Sequence, residues 1–526
     1  FSLNMEQGHT LRIEKLVSIY TSKDKVDDPL KAAVDDLKTI KDFKDILQAS
    51  ENCWADIWKK IDVKVEGDRW AQVLLRLHLY HLMVAASPNN INLDVGITAR
   101  GLHGEAYRGR VFWDDLYILP LYAMHFPKVA KSILMYRYRR LDKAREYARQ
   151  NGYKGAMFPW QSGSDGREET PTVHLNPVSG KWGSDFSCYQ RHVSLSVAYN
   201  IWQYYGFTKD GAFLQDFGAE MIFEISRFWV DKASYDAQID KYHIAGVMGP
   251  DEYHEKYEDS KEGGVRDNAY TNIMVVWLLR KARQVWEVLN QDEAAKLAKK
   301  LNLTEIELAH WQDVSRKMNL CLNEQGILEQ FDGYFALKEL DWEAYSQQYG
   351  NIHRMDRILK AEGKSADDYK VAKQADTLMT FYNLDVEEVR AIIQDLGYKV
   401  PKDFLRLNFD YYLRRTSHGS TLSRVVHAYL SNVMGNQELS WQLYQEALFS
   451  DYTDIQGGTT GEGIHTGVMA GTVLQVIFAY AGVFLQKDRV EIKPNLPKSW
   501  KEVSFNFDFQ GVNYAVTVFK DKIDLE

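Results

Sequence analysis

A chain of 526 residues, 45% hydrophobic and 26% charged, has the make-up of an ordinary globular protein, long enough for a large core or for two or three domains. A formal charge of −9, with Lys and Arg spread along the chain, leaves no basic face for a nucleic acid. Cys53, Cys188 and Cys321 lie too far apart for metal-ligand spacing or a disulfide framework, so no metal is expected and the redox compartment stays open.

In chain order, "FSLNMEQGHTLRIEKLVSIYTS" comes first and alternates apolar and polar residues, as one or two strands would, with no initiator Met. Two strands alone are unstable, so residues 1–22 are expected to complete a β domain that lies outside this chain. After about residue 25 the period becomes 3.6 and remains so for roughly 450 residues. Pro127 opens a helix with Val129, Ile133, Tyr136, Leu141, Ala144 and Ala148 on one face, closed by Gly152. Leu214, Phe217, Met221, Ile225 and Phe228 repeat the pattern, as do Ile273, Trp277, Val285, Val288 and Leu289. No βαβ alternation appears, and about a dozen helices in one domain predict a toroid of helix pairs or an irregular bundle. The apolar run from Met469 is interrupted by Gly and Gln475 and reads as a buried helix, not a membrane span. From about Val490 the period returns to two, with Val503, Phe505, Phe507 and Phe509 on one face of a small C-terminal β unit.

Between the helices run loops of Gly, Pro, Trp, His and carboxylates, the place where function collects on a rigid scaffold. The aromatic share is 13%, with 14 Trp and 31 Tyr, which suits either a large core or a surface that covers sugar rings. Glu252 follows Gly249-Pro250, and Glu462 stands between Gly461 and Gly463, so both carboxyls sit on glycine-flanked turns. Cleaving an acetal with inversion needs one carboxylic acid to protonate the leaving oxygen and a second group acting on the opposite ring face. For each glutamate the alternative is a loop carboxylate capping a helix. Phe112, Trp113 and Asp114 in "FWDD", with Trp160 after Pro159, offer faces for C–H surfaces and a carboxylate for hydroxyls, or simply core packing. Lys373 and Gln374 in "KQAD" are a donor pair suited to ring hydroxyls, or part of a solvated face.

"GEAYRGRVFWDD", "GYKGAMFPWQS", "GVMGPDEYHE", "DNAYTN", "KQAD", "TSHGSTLS" and "GEGIHTGVMAGT" stand in the order seen in glycoside hydrolase family 65, which the chain resembles from about Leu11 to its end. The resemblance implies a mainly α protein: the end of an N-terminal β-sandwich at 1–22, a helical linker at 23–65, an (α/α)6 barrel at 66–485 and a C-terminal β domain at 486–526. It implies inverting chemistry on α-glucosides with Glu252 as general acid and Glu462 as base. Phe112, Trp113, Asp114, Trp160, Asp251, Lys373, Gln374, His418 and His465 would bind the substrate. It implies no cofactor, with inorganic phosphate a co-substrate only in a phosphorylase, and suggests a homodimer, cytoplasmic or periplasmic in a bacterium, without nucleic-acid or membrane partners.

The family contains hydrolases and phosphorylases. A phosphorylase must hold a dianion beneath the anomeric carbon, for which Ser417, His418, Ser420 and His465 are candidates, whereas a carboxylate there would repel it. Gln161 in "PWQS" and the segment His174–Ser194 resemble a hydrolytic branch acting on kojibiose, so hydrolysis of an α-linked glucobiose is the first expectation and phosphorolysis the second. A non-catalytic sugar-binding protein is the third.

Overall fold

A computed structural model describes residues 4–258, 260–486 and 489–525. The first three residues of the expected N-terminal strands lie outside these. Residues 4–22 form no strand, and Leu11, Ile13, Val17 and Ile19 of the alternating pattern are exposed. A period-two pattern becomes a strand only where another edge completes the ladder, and no described strand pairs with this segment.

Two helices follow, Pro29–Thr39 and Phe43–Ile61, whose first N–H groups are accepted by the side chains of Asp28 and Asp42. The chain then forms a short strand, β1 (Lys64–Glu66), that sequence periodicity did not reveal. It pairs antiparallel with β2 (Glu502–Phe509), Val65 opposite Val503, and β3 (Val512–Phe519) and β4 (Ile523–Leu525) complete the sheet in the order β1-β2-β3-β4. Val503, Phe505, Phe507 and Phe509 turn inward, and β2 packs on the helices Phe43–Ile61, Asp115–His125 and Val193–Thr208.

The centre is a ring of six helices: α1 (Asp115–His125), α2 (Val193–Thr208), α3 (Ala269–Val288), α4 (Asp376–Asn383), α5 (Thr421–Val433) and α6 (Thr466–Leu474). Each packs on the next, and α6 returns to α1. The sequences of α1, α2 and α6 are apolar nearly all round, as a helix flanked on every side requires. All nine residues of α6 and every residue of α1 but Pro120 are buried. A second helix backs each one: Pro127–Tyr138 behind α1, Ala219–Lys232 behind α2, Glu305–Lys317 behind α3, Phe404–Leu413 behind α4, Gln437–Leu448 behind α5 and Arg69–Ala85 behind α6. Among the described residues no helix is long and apolar enough to cross a membrane.

The helix expected to run unbroken from Pro127 to Gly152 is two helices, Pro127–Tyr138 and Leu141–Gln150. The break falls at Arg139 and Arg140, where the Arg140 guanidinium donates to the carbonyls of Tyr136 and Ser164 and pairs with Asp94. Bonding to these carbonyls and to Asp94 outweighs a continuous 3.6 pattern.

Candidate active site

The N-terminal ends of α1, α5 and α6, marked by Asp114, Ser420 and His465, open onto a cavity of about 810 Å³. A smaller one of about 280 Å³ adjoins it, and Tyr107, Phe112, Trp160, Asp251, Arg354, Arg357 and Lys373 line both. Glu462 lines the larger cavity and Glu252 the smaller, and the shared lining residues make the two cavities neighbours.

The turn Gly249–Glu252 is fixed from several directions. Asp251 takes φ +52°, a conformation Asp tolerates, and its N–H donates to Gln190 Oε1 at 2.8 Å. Its carboxylate is paired with Lys373 Nζ. A Cβ on Gly249 would lie 2.1 Å from Asp376 Oδ2, so only glycine lets the turn approach α4. Behind it Gln374, fully buried, donates to Pro250 O at 2.8 Å. Gln374 therefore supports the turn and does not line the cavity where it was expected to meet hydroxyls.

Glu252 is 5% exposed, and its carboxyl accepts from the backbone N–H groups of Lys373 at 2.7 Å, Asp376 at 3.0 Å and Gln374 at 3.3 Å. Such donors favour the carboxylate. Burial, and after it the neighbouring Asp376 carboxyl, act the other way and prevail, pushing Glu252 far above the usual carboxylate range. Asp376 is itself raised by burial, although Asn268 Nδ2 donates to it at 2.6 Å. A carboxyl that keeps its proton near neutrality can give it away, which is what a general acid requires.

The aromatic wall is built from the segment before α1. Arg137, buried, donates to Phe112 O at 2.6 Å and to Asp115 at 2.9 Å, which fixes the "FWDD" backbone. Phe112 meets Trp160 edge-on at 5.1 Å, and the buried Trp113 stands on His192 at 4.7 Å. Asp114 projects into the larger cavity, and its carboxyl is pushed up to about 7 by burial and then by Asp251 and Asp115.

On the far side Glu462 sits exposed at the end of a short turn, Thr460–Glu462, which Gly104 meets so closely that a Cβ would lie 2.1 Å from the Glu462 carbonyl carbon. His465 lines the cavity with its Nδ1 2.7 Å from Asp451 and within 3.3 Å of Arg100. Ser420 and Thr421 line it at the start of α5, where the Ser420 side chain makes no capping bond. His418, expected among the substrate-binding residues, does not reach the cavity: its Nδ1 lies 2.8 Å from Ser423 Oγ and burial holds it well below the usual histidine range. Ser417 likewise turns away, toward Tyr253 and His353.

Sequence reasoning did not single out Tyr107, Arg354 or Arg357. Tyr107, at φ +57°, lies tilted against Phe112 with ring centroids 4.6 Å apart. Arg354 pairs with Asp356 at 2.8 Å. The segment "HRMDRILK" reads as a solvated charged helix, and the only signal was two arginines spaced i, i+3 on one face.

Comparison with known proteins puts this helical ring in the class of glycosyl hydrolase catalytic domains. Residues 76–474 match the central catalytic domain of glycosyl hydrolase family 65, residues 1–57 its N-terminal domain and residues 485–526 its C-terminal domain. The chain belongs to glycosyl hydrolase family 65. It is 42% identical, over 97% of its length, to an uncharacterised glycosyl hydrolase of Mycobacterium tuberculosis, of which it spans 38%. It is 41% identical, over 98% of its length, to trehalose 6-phosphate phosphorylase of Lactococcus lactis, of which it spans 65%. A solved structure provisionally named a kojibiose phosphorylase, from the human microbiome, superposes with TM-score 0.77 at 25% identity, covering 94% of this chain and 68% of that one.

Proposed function

We propose that this chain carries the catalytic domain of an inverting α-glucoside phosphorylase, with the six paired helices as an (α/α)6 barrel. The carrying observation is the start of α5. No side chain caps the 13-residue helix, its first two N–H groups, of Thr421 and Leu422, precede the first intrahelical bond, and Ser420, Thr421 and Leu422 line the cavity. That is a cradle for a dianion. Phosphate bound there would attack C1 of a glucose seated between the Phe112–Trp113 wall and Asp114. The C1–O bond breaks as Glu252 passes its proton to the leaving oxygen, and inversion gives β-glucose 1-phosphate and a free sugar.

Gln161 and the segment from His174 do not bear on the choice of nucleophile. Gln161 and His174–Pro177 line the smaller cavity beside Glu252, on the leaving-group side. The names of related proteins also support phosphorolysis.

One observation favours hydrolysis instead. The exposed Glu462 carboxylate opens onto the larger cavity and could deprotonate water there. A panel of α-linked glucobioses, assayed with and without inorganic phosphate while NMR follows the anomer released, decides between them. Phosphate-dependent release of β-glucose 1-phosphate supports the proposal. Phosphate-independent release of glucose, abolished by Glu462→Gln, overturns it in favour of hydrolysis.

A further inference from the structure

We propose that the sugar leaving this site carries a phosphate group, and that Arg357, with Arg354 beside it, receives that group. The inference rests on reading the site as one that removes glucose from an α-glucoside.

Five cationic or potentially cationic side chains line the smaller cavity, and four of them already face a carboxylate. Lys373 pairs with Asp251, Lys360 with Glu255 at 3.2 Å and Arg354 with Asp356 at 2.8 Å, while His174 faces Asp185 at 3.9 Å. Arg357 is the exception. Its guanidinium borders both cavities and is half-buried, yet among the described residues it makes no hydrogen bond or ion pair. The adjacent carboxylate, Asp356, is bonded by Arg354 at 3.0 and 2.8 Å, so it and Glu462 of the larger cavity act on Arg357 only through space, without a hydrogen bond. The backbone at Arg357 is fixed, since Asn176 Nδ2 donates to its carbonyl at 3.0 Å and ties it to the hairpin Val173–Ser184. A guanidinium removed from water without an acceptor is costly, and its planar fork fits two phosphate oxygens better than isolated hydroxyls.

Position assigns this charge to the leaving group. Arg357 shares the smaller cavity with Glu252, whose proton goes to the leaving oxygen. Ser420 and Thr421, assigned above to the attacking phosphate, line only the larger cavity. The site therefore holds two places for anions, one on each side of the transferred glucose.

The test is made on the full-length protein in two parts. Calorimetric titration compares glucose 6-phosphate with glucose as ligands, and the reverse reaction compares them as acceptors from β-glucose 1-phosphate. The expected result is at least a 30-fold preference for the phosphorylated sugar in both. R357Q should reduce that ratio toward one, and R357K should retain part of it. Equal or weaker binding of glucose 6-phosphate, or a ratio unchanged in R357Q, overturns the proposal. If neither acceptor is glycosylated and α-glucobioses are hydrolysed instead, phosphorolysis is wrong. The same ratio is then read from hydrolysis of trehalose and trehalose 6-phosphate, and the calorimetric comparison stands by itself.

Discussion

Replacing Glu252 by Gln removes the proton from the leaving-group side while keeping size and shape. At 5% exposure the carboxyl is largely shut off from bulk water, so the loss belongs at the upper end for a general acid. That is about 10⁴-fold in kcat/KM, or about 5 kcal/mol in barrier. The fold should also register the change. One carboxyl oxygen accepts from Lys373 N–H at 2.7 Å and the other from Asp376 and Gln374 N–H at 3.0 and 3.3 Å. An amide nitrogen on either side leaves a buried donor unmatched, a cost of about 1–3 kcal/mol in stability. The assay pairs an α-glucobiose, whose sugar leaving group needs a proton, with α-glucosyl fluoride, whose fluoride does not. E252Q should be nearly inactive on the first and much less impaired on the second. Equal losses on both substrates, or disaccharide turnover within tenfold of wild type, would refute the assignment of Glu252 as the acid.

The raised ionisation of Glu252 sets an alkaline limit, since the acid works only while protonated. Activity should fall as pH rises through a value well above the ordinary glutamate pKa of about 4.3. Asp376→Asn removes the neighbouring charge that helps raise it, so this limb should move to lower pH by about one unit, measured as kcat/KM against pH. A carboxyl raised on folding stabilises the protein fully below its unfolded pKa and loses that contribution as pH rises through the folded one. The melting temperature of E252Q should therefore gain on wild type between acidic and alkaline buffers. Gly249→Ala drives a Cβ to within 2.1 Å of Asp376 Oδ2 and should shift the Glu252 turn, lowering turnover by about 10²-fold. Ser420→Ala should raise the KM for phosphate by about tenfold while a hydrolase would show no such parameter, which steady-state kinetics will read. Asp115→Ala strands the buried Arg137 guanidinium, 2% exposed, and should cost about 3–5 kcal/mol in denaturant unfolding.

Much of the fold was legible because periodicity reports burial. The apolar run from Met469, read as a buried helix, lies in the fully buried α6 and the turn after it, and the alternation from Val503 to Phe509 appears as the inward face of β2. Two features escaped for the same reason: they depend on partners elsewhere in the chain. The three residues of β1 become a strand only against β2, and residues 4–22 have the pattern of a strand with no described edge to pair with. The break at Arg140 was equally invisible, since the Ser164 carbonyl and Asp94 that hold it lie on other segments.

In the site, legibility followed glycine and proline. Gly249, Gly104 and Gly463 mark places where the chain passes close to a neighbouring segment, and the two carboxyls they flank line adjoining cavities. Residues named for their functional group alone fared differently. Gln374 and His418 are donors in loops of the right composition, but one supports a carbonyl and the other packs on His427 at 4.9 Å, behind the wall. Arg357 is the converse case, a charged residue in a charged helix whose neighbours are all paired. That its guanidinium has no hydrogen-bonded partner depends on which carboxylates Arg354, Lys360 and Lys373 have taken, and that is not known until the chain is folded. On the proposed reading, specificity for the leaving sugar would rest on Arg357 and the hairpin from His174 that holds its backbone, residues that motif reading passes over. The chemistry at Glu252, by contrast, stands in a single quotable turn.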